Sequence, residues 1–210
     1  NRIVGTSLYS FSREGSLAYV DQNYSESTGE IPRGGLLYDG SPAWVGRDGA
    51  VEIISDGLVL HGHPRISPNQ NEAIFNARDS SGDSDIWVYN FTSNILGRRT
   101  FGGGHTVGVW SPDGSRIFYN GDASISSVAS NGTDSPILEI PVAGSYPLSF
   151  NSTGESFIYS SNTTQSIHLS GQENERFIEE LNLVPDGAVA KEGRISPNGD
   201  FLAYTSNETG

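Results

Sequence analysis

Three groups of residues in this 210-residue chain have types and spacings that can do chemistry. His61 and His105 each stand five residues before an apolar residue followed by Ser, at Ile66 and Trp110, and His63 lies beside the first of them. Glu192 stands three residues before Ile195, which is again followed by Ser. Imidazoles and a carboxylate are ligands for zinc or manganese, and a metal held by His61, His105 and Glu192 would activate water or a substrate proton. The same side chains also read as polar loop residues facing water. Asp79, Asp83 and Asp85 form the second group, three carboxylates in the seven-residue run DSSGDSD. Hard oxygen ligands so placed suit Ca²⁺. The run lacks the twelve-residue calcium loop with its terminal Glu, and it reads equally as a solvated hairpin. The third group is six Asn residues followed two positions later by Ser or Thr: Asn23, Asn90, Asn131, Asn151, Asn162 and Asn207. Each is a candidate glycan acceptor. Chance gives about three in a chain with this much Asn, Ser and Thr, and turns favour the same residue types.

Other chemistries find little footing. No G-x-S-x-G elbow and no H-E-x-x-H are present, and Gly102-Gly103-Gly104 lacks the Lys-Ser/Thr that follows a phosphate-binding loop. Glu179-Glu180 lie in a polar run that fits a short helical or edge segment. No catalytic residue is assigned, and no cofactor is expected beyond Ca²⁺ or a divalent transition metal at the two sets above.

Composition sets the class. There are 41 Ser and Thr, 26 Gly and 10 Pro, and Lys191 is the single lysine, so turns are frequent and good helix formers scarce. The net charge of −13, with 12 basic residues, argues against a nucleic-acid groove and an anionic membrane surface. No apolar run is long enough for a membrane-spanning helix. Without Cys there is no disulfide framework or thiolate metal site. The chain lacks Met and a signal segment, which is the expectation for a mature or excised piece of a longer precursor. The acidity and the sequons point to an exported, cell-surface or periplasmic, glycosylated protein.

The elements that would position these groups are repeated. SFSREGSLAY (10–19), RISPNQNEAIF (65–75), VWSPDGSRIFY (109–119), SFNSTGESFIY (149–159) and RISPNGDFLAY (194–204) share one pattern. Their anchors Phe11, Ile66, Trp110, Phe150 and Ile195 lie 55, 44, 40 and 45 residues apart. Such a period marks a repeated supersecondary unit. In each unit an apolar strand ends at Ser-Pro or its equivalent, Asp/Asn-Gly turns the chain, and an alternating strand returns. Residues 85–90 (DIWVYN) read as a third strand and 96–101 (LGRRTF) as a short outer one. Four short strands and a return make one blade of an all-β propeller. The prediction is a single propeller or propeller fragment over 1–210, with about four complete four-stranded antiparallel blades and a partial fifth.

The repeat resembles the TolB-type propeller repeat, close to W-S-P-D-G-x-x-I-x-F, then D-I-W-V-x-D, then R-L-T. Residues 110–119 carry the first part, and 85–90 and 97–101 the rest. The run from Ser41 to Gly49 ahead of Pro64 to Ala73 is similar to the propeller region attached to bacterial serine/threonine kinases. That resemblance implies a sensor or scaffold domain outside the cell. Related propellers flank the active sites of prolyl-oligopeptidase-type peptidases, which leaves a gate for a hydrolase as a further possibility. Residues 151–154 lack Pro-Asp, and 122–138 lack a clear D-I-W-V strand. The fifth unit shows two inner strands, and residues 1–4 can supply only one more. An open sheet edge invites pairing with another chain. The functional expectation is a non-enzymatic scaffold that binds a protein partner, or further copies of itself, through open blade edges. The alternative is a metal-dependent lyase or lactonase acting on a sugar-derived substrate.

Overall fold

The computed structural model describes residues 9–11, 17–22, 40–45, 50–53, 59–60, 64–78, 80–121, 124–173, 176–184 and 188–208. Every regular element among them is a strand, and no helix long and apolar enough to cross a membrane occurs there. The first four strands, β1 (Tyr9–Phe11), β2 (Leu17–Gln22), β3 (Gly40–Val45) and β4 (Val51–Ile53), pair antiparallel in order. The next group is β5 (Val59–Leu60), β6 (Arg65–Ile66), β7 (Glu72–Arg78), β8 (Ser84–Asn90) and β9 (Ile95–Arg98). β5 and β6 pair with opposite ends of β7, so together they are one interrupted inner strand. Leu60 of β5 also pairs with Gly40 of β3, joining the first two sheets into one hydrogen-bonded path.

Two regular four-stranded sheets follow. One holds β10 (Gly108–Trp110), β11 (Arg116–Gly121), β12 (Ser124–Ala129) and β13 (Ile137–Ile140). The other holds β14 (Ser145–Phe150), β15 (Ser156–Ser161), β16 (Ser166–Glu173) and β17 (Arg176–Asn182). A two-stranded sheet, β18 (Ala190–Ile195) and β19 (Leu202–Ser206), comes last among the described residues. This is an all-β propeller of about four blades, with four antiparallel four-stranded units and a further pair. The chain divides into two compact units, Asn1–Thr106 and Val107–Gly210.

All five anchors end the inner strand of their blade, and each faces the start of the returning strand. The pairs are Phe11↔Leu17, Ile66↔Ala73, Trp110↔Ile117, Phe150↔Phe157 and Ile195↔Leu202. Between Trp110 and Ile117 the Ser111 amide donates to the Arg116 carbonyl (2.9 Å), and the Gly114 amide donates to the Ser111 carbonyl (2.9 Å). The Ser111 hydroxyl donates to Asp113 Oδ1 (2.6 Å) and accepts from the Arg116 amide (3.0 Å). One side chain thus satisfies donors that the reversal would otherwise leave open. Ser67 and Ser196 repeat this arrangement with Asn69 and Asn198 in place of Asp113. The run 151–154, without Pro-Asp, closes the same turn by substitution. Asn151 Oδ1 accepts from the amides of Gly154 (3.0 Å) and Ser156 (3.1 Å), and its Nδ2 donates to the Thr153 hydroxyl (3.0 Å).

The outer strands of the third blade, faint in sequence, form as β12 and β13. Within the run 173–180, Glu173 ends β16 and residues 176–180 lie in β17, so the described part of the run takes the extended alternative rather than a helical one.

In the second unit neighbouring sheets pack face to face. Phe118, Ile125 and Ile140 of the third blade bury against Phe157 and Tyr159 of the fourth, with Phe150 and Phe177 packed around them. Ring centroids of Phe118, Phe150, Phe157 and Phe177 lie 4.5 to 5.8 Å apart, within the range of favourable aromatic pairs. On the opposite face Ile158 and Ile167 meet Leu148, Val184 and Ala190, with Ile195, Leu202 and Tyr204 of the last sheet. Because both faces of β15 are covered, Phe157, Ile158 and Tyr159 are all buried; Ile117, Phe118 and Tyr119 are buried as well. These runs do not alternate as the sequence pattern predicts, since a strand covered on both sides wants apolar residues at every position. Gly193 makes this closeness possible. A Cβ there would stand 3.1 Å from the Cδ1 atoms of both Ile158 and Ile167.

The fourth turn position takes a left-handed backbone, with φ of 74° at Gly114, 83° at Gly154 and Gly199, and 64° at Gln70. Gly114→Ala is expected to cost about 1–2 kcal/mol, and Gln70→Gly to gain up to about 1 kcal/mol. Urea unfolding checks both, and equal midpoints would remove the turn argument. The Ser111 hydroxyl, then the Ser115 amide, hold the Asp113 carboxyl below the usual carboxylate range. A depressed folded pKa contributes stability that is present above the unfolded value of about 3.9 and is lost as pH falls through the folded value. Ser111→Ala is expected to flatten the pH dependence of unfolding in that acid window, as pH-resolved melting will show.

Candidate functional site

Charged and hydroxyl side chains gather around Asp85, at the second position of β8. Its side chain is fully buried. β8 pairs with β9 from Trp87↔Arg98 to Asn90↔Ile95, which brings the chain beyond β9 back past Asp85. The Thr100 hydroxyl donates to Asp85 Oδ1 (2.7 Å), and Arg98 Nη2 donates to Oδ2. Thr100 Oγ1 also accepts from the Ile86 amide (2.9 Å), and its carbonyl accepts from Arg98 Nε (2.9 Å). The Arg98 guanidinium lies 5.0 Å from the Phe101 ring centroid and 6.0 Å from that of Trp87, within the range of cation–π attraction. The His105 amide donates to the Ser84 carbonyl (3.0 Å), and its Nε2 stands 3.9 Å from Asp85 Oδ1.

The sequence candidates are distributed as follows. Asp85 and His105 come together, and both Asp85 oxygens are engaged by Thr100 and Arg98. Asp83 is exposed and accepts weakly from the Ser81 hydroxyl (3.3 Å). Asp79, His61, His63 and Asn23 lie outside the described residues. His105 belongs to the first compact unit and Glu192 to the second, where Glu192 is exposed at a register shift in β18. Among the described residues no three His, Asp or Glu side chains are grouped to hold a metal ion. Of the sequons, Asn131, Asn162 and Asn207 are exposed, Asn90 is partly buried, and Asn151 is buried in its turn.

Two groups were missed in the sequence. Arg98 and Thr100 read there only as polar outer-strand residues, although the R-x-T spacing after D-I-W-V marks them. His168 carried no signal. It is buried on β16, its ring 5.1 Å from that of Tyr159 and stacked at 15°, with Nε2 2.7 Å from Thr164 Oγ1.

No protein-family model matches the sequence, and no curated protein matches it. Solved structures do match in fold. A TolB-like protein from Agrobacterium tumefaciens aligns over 94% of this chain and 73% of its own, at 16% identity and a TM-score of 0.63. The β-propeller domain of the Trilobed protease from Pyrococcus furiosus aligns over 97% and 66%, at 10% identity and 0.67. The periplasmic gluconolactonase of Pseudomonas aeruginosa aligns over 94% and 64%, at 16% identity and 0.63. The chain therefore has a TolB-like β-propeller fold. That fold houses both TolB and enzymes, so it does not choose between binding and catalysis.

Removing one partner of a buried ion pair strands the other. Asp85→Ala is expected to lose about 3–5 kcal/mol of stability, measured by chemical unfolding. A carboxylate held in reserve for a ligand would behave oppositely, and a variant as stable as the parent would overturn the structural role.

Proposed function

We propose that this chain is a non-enzymatic extracytoplasmic β-propeller that serves as a protein-interaction, sensor or self-assembly scaffold. One observation carries the reading. Among the described residues, the six large hydrophobic side chains that stand exposed, at 49 to 73%, all lie on or beside the last strand of a sheet. Ile95 opens β9 and Phe101 follows it, Ile137 and Leu138 open β13, Leu181 is on β17, and Phe201 immediately precedes β19. Edge strands present unpaired backbone groups, and soluble proteins normally guard them with charge. Apolar side chains on such edges favour a partner that adds a strand or covers the rim. The chemistry-bearing side chains support the same reading, since Asp85, Asp113, Asn151 and His168 are engaged in turns and buried contacts. The likeness to TolB and to a periplasmic lactonase supports an extracytoplasmic location.

Leu138→Lys and Phe201→Lys are expected to weaken reversible self-association in sedimentation velocity, with unfolding midpoints within about 0.5 kcal/mol of the parent. Salt should strengthen the association, because copies of charge −13 repel each other. Strictly monomeric behaviour at every concentration would remove the self-assembly role. Turnover of a sugar lactone or uronate oligomer with added manganese, lost in His105→Ala, would replace the scaffold by the enzyme reading.

A further inference from the structure

Five of the six sequon asparagines lie in the described residues, and their carboxamides do different work. Asn151 is 8% exposed and hydrogen-bonded through both ends of its amide. Asn90 Nδ2 donates to Glu72 Oε1 (3.1 Å). Asn162 Nδ2 donates to the Tyr146 hydroxyl (3.3 Å), and the sequon hydroxyl two residues on, at Thr164, bonds the buried His168. Asn207 Oδ1 accepts from the Val189 amide (2.6 Å), which ties the residue to the segment before β18.

Asn131 is arranged differently. Asn131, Gly132 and Thr133 are exposed at the tip of the turn between β12 and β13. Asn131 Oδ1 accepts from both the Thr133 amide (3.1 Å) and the Thr133 hydroxyl (2.8 Å). Its Nδ2 donates to none of the described residues. The base of the turn is held while the tip is presented. Asp134 Oδ1 accepts from the Ala129 amide (2.7 Å), Asp134 Oδ2 pairs with Arg116 Nη1 (2.8 Å), and the Gly132 amide donates to the Ala129 carbonyl (2.9 Å).

We propose that Asn131 is the acceptor of an N-linked glycan and that Asn151 is not. In the transfer, Nδ2 attacks the anomeric carbon of a glycan carried on a pyrophosphate leaving group. The C–N bond forms and the C–O bond to the pyrophosphate breaks. The leaving group takes the electron pair, and one Nδ2 proton passes to a base of the glycosyltransferase. The Thr133 hydroxyl occupies the carboxamide oxygen, which leaves the nitrogen turned to solvent. The hydrated glycan would stand six and seven residues before Ile137 and Leu138 and shield the β13 edge from strand pairing. The remaining open edges are then the ones free to take a partner.

The inference rests on the extracytoplasmic reading only for where the native chain meets a transferase. The full chain, secreted from cultured animal cells behind a cleavable signal, separates the two questions. Peptide mass spectrometry after enzymatic glycan release in ¹⁸O water is expected to show Asn131 occupied in most secreted molecules and Asn151 bare. Thr133→Ala should abolish occupancy at Asn131 while Thr133→Ser keeps it. Asn131→Gln should sediment as the more associated species. A bare Asn131 in the secreted, folded protein, or an occupied Asn151, overturns the proposal. Fractionation of the source cells tests the location by itself, and a cytosolic native chain overturns the scaffold's extracytoplasmic setting without altering the result at Asn131.

Discussion

Each described blade from the second onward depends on one hydrogen-bonded reversal, headed by Ser67, Ser111, Asn151 or Ser196. A strand pair that turns within five residues strands backbone donors, and a buried unpaired donor costs about 1–3 kcal/mol. A short side chain with an oxygen at the head of the turn removes that cost and sets the register that follows. Once the anchor faces the residue seven positions later, as in Trp110↔Ile117 and Phe150↔Phe157, the side-chain parity of the whole returning strand is decided. The turn needs a donor–acceptor pattern rather than one sequence. That is why Asn151 with Thr153 replaces Ser with Asp, and why the fourth blade keeps its geometry without Pro-Asp.

The same economy governs the buried and turn-forming polar side chains. Asp85 is taken out of water completely, which is tolerable only because Thr100 and Arg98 occupy both its oxygens. The network fastens the outer strand and the segment after it to β8. Asp113 and Asn151 are turn components, and His168 packs flat on Tyr159 inside the fourth blade. A carboxylate or imidazole committed in this way has a fixed orientation and little freedom to receive a substrate.

Two physical tendencies compete at those edges. A charge of −13 keeps copies apart, while Ile95, Ile137, Leu138, Leu181 and Phe201 reward coverage of the rim. Their balance shifts with salt and with any hydrated group placed beside an edge. The turn bearing Asn131 stands next to β13, so a hydrated group attached there would change which edge remains available.

Much of the fold was legible in the residue order. The recurrence about every 46 residues, the turn heads, the strand at 85–90 and the outer strand begun within 96–101, which stops at Arg98, all follow from interactions spanning a few residues. The candidate site was legible only in part. Asp85 and His105 stood out by type, but whether Asp85 would meet a metal, water or Arg98 depends on a register thirteen residues away. The double pairing of β5 and the burial of Phe157-Ile158-Tyr159 on both faces were settled only when sheets paired and stacked. Local hydrogen bonds can be read from neighbouring residues because chain geometry keeps their partners within reach. Burial and long-range pairing cannot, because the neighbour that excludes water or completes a charge pair is chosen by the assembled sheets.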